Sequence, residues 1–296
     1  MAALGHVLRQ SEKDGAALGH FNVADQVLVA AVLGAANELR VPVLVGASEG
    51  ERDFFGTRQL AALVKSMREE SPVAVFLNAD HTHSLTKALE AANAGFDAIG
   101  IDFSALPLEQ NVSRTKEAVE AIKAINPDIL VEGEIGDIGT GSEIHEIEHR
   151  GGDLTTPGEA RQFVDSTGID ILAPAVGNMH GMVKSMVQGK SKKHLDVARI
   201  AQIKQATHVF LTLHGGSGTE DEDLTKAIVA GINIIHINTE LRIAWRQSLQ
   251  DSLSRDPNEV VPYRVLRPVV DRVKDVIGAR LRLFTRRRAG EERADT

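Results

Sequence analysis

The chain has 296 residues, 43% of them hydrophobic, which suffices for one large barrel or two ordinary domains. It contains no cysteine, so disulfides, thiolate chemistry and Cys-ligated zinc are excluded, and any transition metal has to sit on His, Asp and Glu. A formal net charge of −8 and only 4% aromatic residues exclude a global polyanion-binding field and a base-stacking platform.

From the start, Met1 to Gln10 lacks the cationic, apolar pattern of a signal peptide, and no segment reaches ~18 uninterrupted apolar residues. No membrane partner and a cytoplasmic location are expected. A short apolar strand, a polar tip and an Ala/Leu-rich helical stretch then recur. Leu18–Val23 is the first predicted strand, tipped by Asn22, and Asp25–Leu39 its helix. Pro42–Gly46 is the second strand, followed by a helix containing Gln59–Glu69. Val73–Leu77 is the third and runs into a tip of Asn78, Asp80, His81 and His83, before a helix over Leu85–Ala94 stopped by Gly95. Ala98–Ile101 is tipped by Asp102 and Ser104 and precedes a helix over Asn111–Ile125. Ile129–Val131 opens the fifth strand, leading to Glu132, Glu134 and a loop, Gly136–Gly152, with five glycines. That loop lacks periodicity and is read as a mobile segment over a site.

Thr156 and Pro157 start the next helix, as cap and first position. Ile171–Val176 is the sixth strand, tipped by Gly177, Asn178, His180 and Gly181. A polar excursion over Gly189–His194 leads into a helix over Leu195–Thr207. Val209–Leu213 is tipped by His214, Gly215, Gly216, Ser217 and Gly218, with Asp221–Ala230 as its helix. Ile234–Ile237 is the eighth strand, tipped by Asn238, Thr239 and Glu240; helices over Leu241–Leu253 and Val265–Leu283 follow. Eight such units predict an α/β (β/α)8 TIM barrel over residues 1–284 with an extra C-terminal helix. Residues 285–296, with Arg286, Arg287 and Arg288, are expected to form a disordered basic tail.

Parallel barrels carry their chemistry at the carboxyl ends of the strands. One histidine at such a tip is as often a capping or core residue, but three separate tips bear His81, His180 and His214. They are read as the three protein ligands of a zinc ion that keeps a fourth position open for substrate. Asp80 beside His81 is either a proton donor or a helix-capping residue. Asp102, Glu132 and Glu134 either hold a second cation position or balance local charge. The Gly215–Gly216–Ser217 run gives backbone amides that can converge on a phosphate, in the part of a barrel that often holds one. Glu143 is read either as a swinging base or as a surface charge. No tip carries the buried lysine that imine chemistry requires; Lys184 comes closest.

Six stretches carry a resemblance: 78–81 (NADH), 98–104 (AIGIDFS), 131–136 (VEGEIG), 175–181 (AVGNMHG), 213–218 (LHGGSG) and 237–242 (INTELR). In this order the chain resembles the class II, metal-dependent ketose-bisphosphate aldolases over nearly its whole length. The resemblance implies that Asp80 is the proton donor and that His81, His180 and His214 bind catalytic zinc, with Asp102 and Glu134 near an alternative metal position. Gly181, Gly215, Gly216 and Ser217, completed by Asn238 and Thr239, would cradle the phosphate of dihydroxyacetone phosphate. It also implies a monovalent cation near that phosphate and a homodimer or homotetramer. Two departures stand out: His236 replaces a common asparagine, and the loop carboxylate expected as a base falls near Ser142 or Glu143. The implied reaction is aldol cleavage of a ketose 1,6-bisphosphate to dihydroxyacetone phosphate and an aldehyde phosphate, with fructose 1,6-bisphosphate ahead of tagatose 1,6-bisphosphate. A metal-dependent sugar-phosphate epimerase and an accessory binding subunit are the other readings.

Overall fold

A computed structural model describes residues 3–146 and 154–286. In chain order the elements are α1 (Leu4–Lys13), β1 (Leu18–Asn22), α2 (Gln26–Leu39), β2 (Val43–Ala47), α3 (Glu49–Phe55), α4 (Thr57–Glu70) and β3 (Val75–Thr82). Next come α5 (Leu85–Ala94), β4 (Ala98–Ile101), α6 (Leu108–Ile125), β5 (Leu130–Ile135), β6 (Ile144–His145), α7 (Pro157–Thr167) and β7 (Ile171–Pro174). The chain continues with β8 (Met182–Val183), α8 (Lys184–Val187), α9 (Val197–Thr207), β9 (Phe210–Leu213), α10 (Asp221–Ala230), β10 (Ile232–Ile237), α11 (Thr239–Arg255) and α12 (Pro262–Phe284). Among the described residues, parallel strands close a barrel in the order β1-β10-β9-β7-β5-β4-β3-β2, and β6 pairs with β8 outside it. The expected TIM barrel is present.

The interior changes character along its axis. Strand residues alternate in direction, so Leu18, His20 and Asn22 of β1 share one face, as do Phe76, Asn78 and Asp80 of β3. At the amino end Leu18, Leu44, Phe76, Ala98, Ile171 and Ile234 form an apolar layer. Leu4 and Leu8 of α1 pack on that layer and stopper the barrel from below. One level up the register pairs His20 with His236, and the interior turns polar. The room for these rings comes from Gly46, where a Cβ would stand 2.0 Å from the His20 ring. Apolar floor and polar ceiling together confine chemistry to the carboxyl end.

Several boundaries differ from expectation. The third strand does not stop at Leu77 but runs through the polar tip to Thr82, since barrel pairing offers those backbone groups partners. Helices α1 and α3 fall outside the expected strand–helix units. Part of the glycine-rich loop is ordered by β6 pairing with β8, with Ile144 opposite Met182; residues 147–152 of that loop lie outside the described residues. So do residues 287–296 of the expected tail. No helix among the described residues is long and apolar enough to cross a membrane.

Candidate active site and metal centre

The site begins with an irregularity in β3. Ala79 pairs with Ile99 and Thr82 with Ile101, so Asp80 and His81 together face a single residue, Gly100. This bulge breaks the alternation and lets two consecutive side chains line the same cleft. His81 carries φ of 40°, a left-handed conformation that a non-glycine residue adopts at a cost of ~1–3 kcal/mol. Arg52 of α3, fully buried, holds the bulge from behind with Nη1 to the Asp80 carbonyl (3.0 Å) and Nη2 to Thr82 Oγ1 (2.9 Å).

His180 follows β7 and His214 follows β9, and both meet His81 over the barrel mouth. Ring centroids lie 4.6 Å apart for His81–His180 and His81–His214, and 5.7 Å for His180–His214, with interplanar angles of 75°, 82° and 60°. Splayed rings of this kind aim three nitrogens at one point. Each ring has its other nitrogen tied to an oxygen: His81 Nδ1 to Asp102 Oδ2 (2.9 Å), His180 Nδ1 to the Gly139 carbonyl (2.8 Å), His214 Nε2 to Glu132 Oε1 (2.7 Å). Those acceptors claim the ring protons, leaving His81 Nε2, His180 Nε2 and His214 Nδ1 as free lone pairs. His81 Nε2 and His214 Nδ1 then face each other at 3.0 Å. Two lone pairs at that distance repel unless a cation or a shared proton lies between them. Glu134 Oε2, buried without a hydrogen-bond partner, stands 3.3 Å from His214 Nδ1. The donor set fits a divalent metal held by three imidazoles with Glu134 alongside.

Electrostatics gives the same account. Burial disfavours charge on His81, yet Asp80, Asp102 and Glu134 push it up to about 9. His214 is likewise raised well above the usual imidazole range, against its burial, by Glu132 and Glu134. His180 drops to about 3, through burial and the two neighbouring histidines. The carboxylates thus favour positive charge at the point where the His81 and His214 nitrogens face each other.

A second group, Asp80, Glu132, His214 and His236, also brings its donor atoms within 4.8 Å of one another. Here ring geometry is decisive. His236 lies stacked between His20 (3.6 Å, 10°) and His214 (4.1 Å, 25°), and nearly parallel rings cannot direct their in-plane lone pairs at one ion. The residue that departs from the expected asparagine therefore packs flat behind a ligand.

Asp80 is 3% exposed; its Oδ2 accepts from Asn22 Nδ2 at 2.9 Å, and Oδ1 has no hydrogen-bond partner. Burial opposes its charge, but His81 and His236 hold it well below the ordinary carboxylate range. Asp102 sits behind His81, with Ser104 Oγ bonded to Asp102 Oδ1 (2.7 Å) and Glu134 Oε1 (3.1 Å).

Gly181, Gly215, Ser217, Asn238 and Thr239 line a small polar recess beside Asp80, His81 and His180. Gly215 has φ of +63° and its Cβ would stand 2.1 Å from the Met179 carbonyl, so only glycine fits there. Gly216 lies behind this wall, its amide donating to the His236 carbonyl (3.1 Å). The amino end of the 17-residue α11 opens on the recess at Thr239, a favourable place for an anion. A larger cleft of about 470 Å³ continues from Asp80 and His81 past Ser142, Glu143 and Arg242.

Three residues that have no assigned role in the sequence carry weight here, although Arg242 ends the 237–242 stretch. Glu51 is 6% exposed and bonds Asn22 (2.9 Å), Asn238 (3.2 Å), Arg242 (2.7 Å) and the Ser48 amide (2.7 Å). Arg242 also reaches the Ser142 carbonyl (3.1 Å), tying the β5–β6 segment to α11. Lys193, part of the polar excursion, is 3% exposed beneath the recess. A charged residue inside a polar run is the one available signal, and it is weak. Lys184 pairs with Glu146 at an exposed position, away from any imine-forming role.

The family described as fructose-bisphosphate aldolase class-II matches residues 2–288. The fructose-bisphosphate aldolase of Thermus caldophilus is 33% identical, over 94% of this chain and 96% of that protein. That of Geobacillus stearothermophilus is 34% identical over 96% of both. The solved structure of the YdjI aldolase from Escherichia coli superposes with a TM-score of 0.80 at 28% identity, covering 96% of this chain and 97% of that one. Matches that run from end to end and bracket the histidine cluster agree with the chemistry assembled at the barrel mouth: the chain belongs to the class-II fructose-bisphosphate aldolase family of metal-dependent carbon–carbon lyases.

Proposed function

We propose that the chain reversibly cleaves a ketose 1,6-bisphosphate, fructose 1,6-bisphosphate in the first instance, to dihydroxyacetone phosphate and an aldehyde phosphate, with zinc on His81, His180 and His214. The observation that carries this reading is the convergence of three tautomer-fixed imidazoles beside an ionised, buried Asp80.

When bound, the metal supplies a Lewis acid for the ketone of the substrate. Asp80 does the proton work on the aldehyde side. Held ionised, it takes the proton of the hydroxyl whose carbon becomes the aldehyde, and in condensation it returns that proton. Asn22 fixes one carboxylate oxygen and leaves Oδ1 for this transfer. The recess of Gly181, Gly215, Ser217, Asn238 and Thr239 takes the phosphate of the three-carbon half, supplying orientation. Gly216 supports it by close packing on β10. Glu143 is the carboxylate of the β5–β6 segment that lines the cleft, and it is assigned the proton exchange at the enolising carbon. Asp102 and Glu132 act through the rings they hold.

The decisive experiment replaces Asp80. Asp80→Ala is expected to keep its metal, measured by elemental analysis, while triose phosphate release from fructose 1,6-bisphosphate falls by roughly 10²–10⁴-fold. Full activity in the variant removes the proton-transfer assignment; no release from the metal-loaded wild type removes the substrate. The same reading places the enzyme in the cytoplasm as a homodimer or homotetramer, which light scattering on the eluting protein checks.

A further inference from the structure

Lys193 enters the barrel rim through a backbone bridge to the turn after β9, its N–H donating to the Gly218 carbonyl (3.0 Å) and its own carbonyl accepting from Glu220 (3.1 Å). Its ammonium is surrounded by four backbone carbonyls: Met179 (2.8 Å), Gly181 (2.6 Å), Gly215 (3.0 Å) and Ser217 (2.6 Å). Two come from the turn bearing His180 and two from the turn after His214. Positive φ at Gly181 (+70°), Gly215 (+63°) and Gly218 (+78°) shapes the two turns around a common centre. A ring of carbonyl oxygens around one buried positive charge is the environment that replaces the hydration shell of an alkali cation. An ammonium has three donors and no acceptor, so it satisfies such a ring, whereas a neutral amine would turn its lone pair on an oxygen. Lys193 is thereby ruled out as an imine-forming nucleophile.

The same two turns build the recess. Gly181, Gly215 and Ser217 each give a carbonyl to Lys193 and each line the space assigned to the phosphate. The ammonium therefore fixes the turn conformations and places a positive charge directly beneath an anion site. We propose that Lys193 is a covalently tethered monovalent cation: its ammonium fills the carbonyl cage permanently, positions the phosphate-binding turns, and makes the enzyme independent of Na+ and K+. The assignment of the recess rests on the proposed aldolase reading, and the cage itself does not. The free monovalent cation that the resemblance implies has its place taken by a side chain. Lys193 is a positioning residue, since it meets the substrate through the turns it holds.

The test compares zinc-loaded wild type and Lys193→Ala in choline, sodium, potassium and ammonium chlorides at equal ionic strength. Wild-type kinetics and melting temperature are expected to be the same in all four salts. In choline, Lys193→Ala raises KM for fructose 1,6-bisphosphate by about tenfold or more, with a smaller change in kcat, because a charge-assisted network under the phosphate is gone. Potassium or ammonium then lowers that KM and raises the variant's melting temperature, by refilling the cage. Wild type activated severalfold by potassium over choline, or a variant with unchanged KM and no cation response, overturns the proposal. Should the variant not fold, nitrogen-15 lysine spectra of the wild type decide: an exchange-protected ammonium signal unaltered by potassium supports the tether, and its absence or displacement overturns it. Zinc-loaded wild type that releases no triose phosphate in any salt sinks the aldolase reading alone, and the spectra still judge the cage.

Discussion

The outward nitrogens of His81, His180 and His214 all end on oxygens, and this commits the inward ones to a cation. On the proposed zinc site Asp102 and Glu132 would tune affinity through the rings they hold. Asp102→Asn or Glu132→Gln is expected to weaken zinc binding by roughly 10–100-fold, read by competition with a chromophoric chelator. Unchanged affinity in both shows that ring orientation is set by packing instead. A linked outcome concerns protons. His81, pushed up to about 9, and His214, raised well above its usual range, favour a proton shared between their facing nitrogens in the metal-free protein. Both pKa values are raised, so the shared proton is held below the His81 value of about 9 and metal has to displace it. Zinc uptake at pH 7 is expected to release protons, and affinity to fall as pH falls. Calorimetry in buffers of different ionisation enthalpy measures that release, and zero release contradicts a shared proton on the His81–His214 pair in the metal-free protein. The three histidines are legible in the sequence because each ends an apolar run. Lys193 is not, because its partners are backbone carbonyls and no side-chain pattern encodes them. The flat His20–His236–His214 stack is hidden for a related reason: it depends on Gly46 leaving space, a fact of register.

Elements are legible where they repeat and obscure where they occur once. The strand–helix alternation yields the barrel and places each tip at the carboxyl end. It does not yield the β3 bulge, since an extra residue is visible only when Asp80 and His81 are set against Gly100 of the neighbouring strand. Nor does it yield α3, which is seven residues long and held by the Ser48–Glu51 capping box. That short helix delivers Arg52 to the back of the bulge and Glu51 to Asn22, so a non-repeating element supports Asp80, the proposed proton-transfer residue. The α1 stopper escapes a pattern reading because only Leu4 and Leu8 are buried from a polar helix. Leu8 is 0% exposed and touches the apolar floor, where no neighbour can collapse into the barrel axis without disturbing the strands. Leu8→Ala is expected to cost ~2–5 kcal/mol in denaturant unfolding. A loss well below that range means the floor closes without α1.

At the scale of the molecule, the proposed metal ligands come from β3, the turn after β7 and the turn after β9, positions far apart in the chain and on separate strands of one closed sheet. An unfolded chain cannot hold three such residues together, so the proposed zinc would bind the folded state almost exclusively and its binding energy would become folding energy. Removing zinc also leaves the His81 and His214 nitrogens facing each other across one shared buried proton, and an unpartnered Glu134 oxygen. The chelated protein is accordingly expected to fold but to melt earlier. At free zinc 100 times its dissociation constant the linkage amounts to ~2.7 kcal/mol. For a chain approaching 300 residues that corresponds to a drop of roughly 4 °C on chelation. His81→Ala and His214→Ala, each with a broken ligand set, are expected to melt at nearly the same temperature with and without chelator. Differential scanning calorimetry over a range of free zinc reads both. A wild type whose melting temperature ignores chelator, or a His214→Ala protein that still responds fully, contradicts a single ion shared by the three strands. Because two of these segments, the turns after β7 and β9, also carry the proposed phosphate turns and the Lys193 cage, the zinc response of the Lys193→Ala protein in potassium reports whether the two cation positions stabilise the rim together or separately.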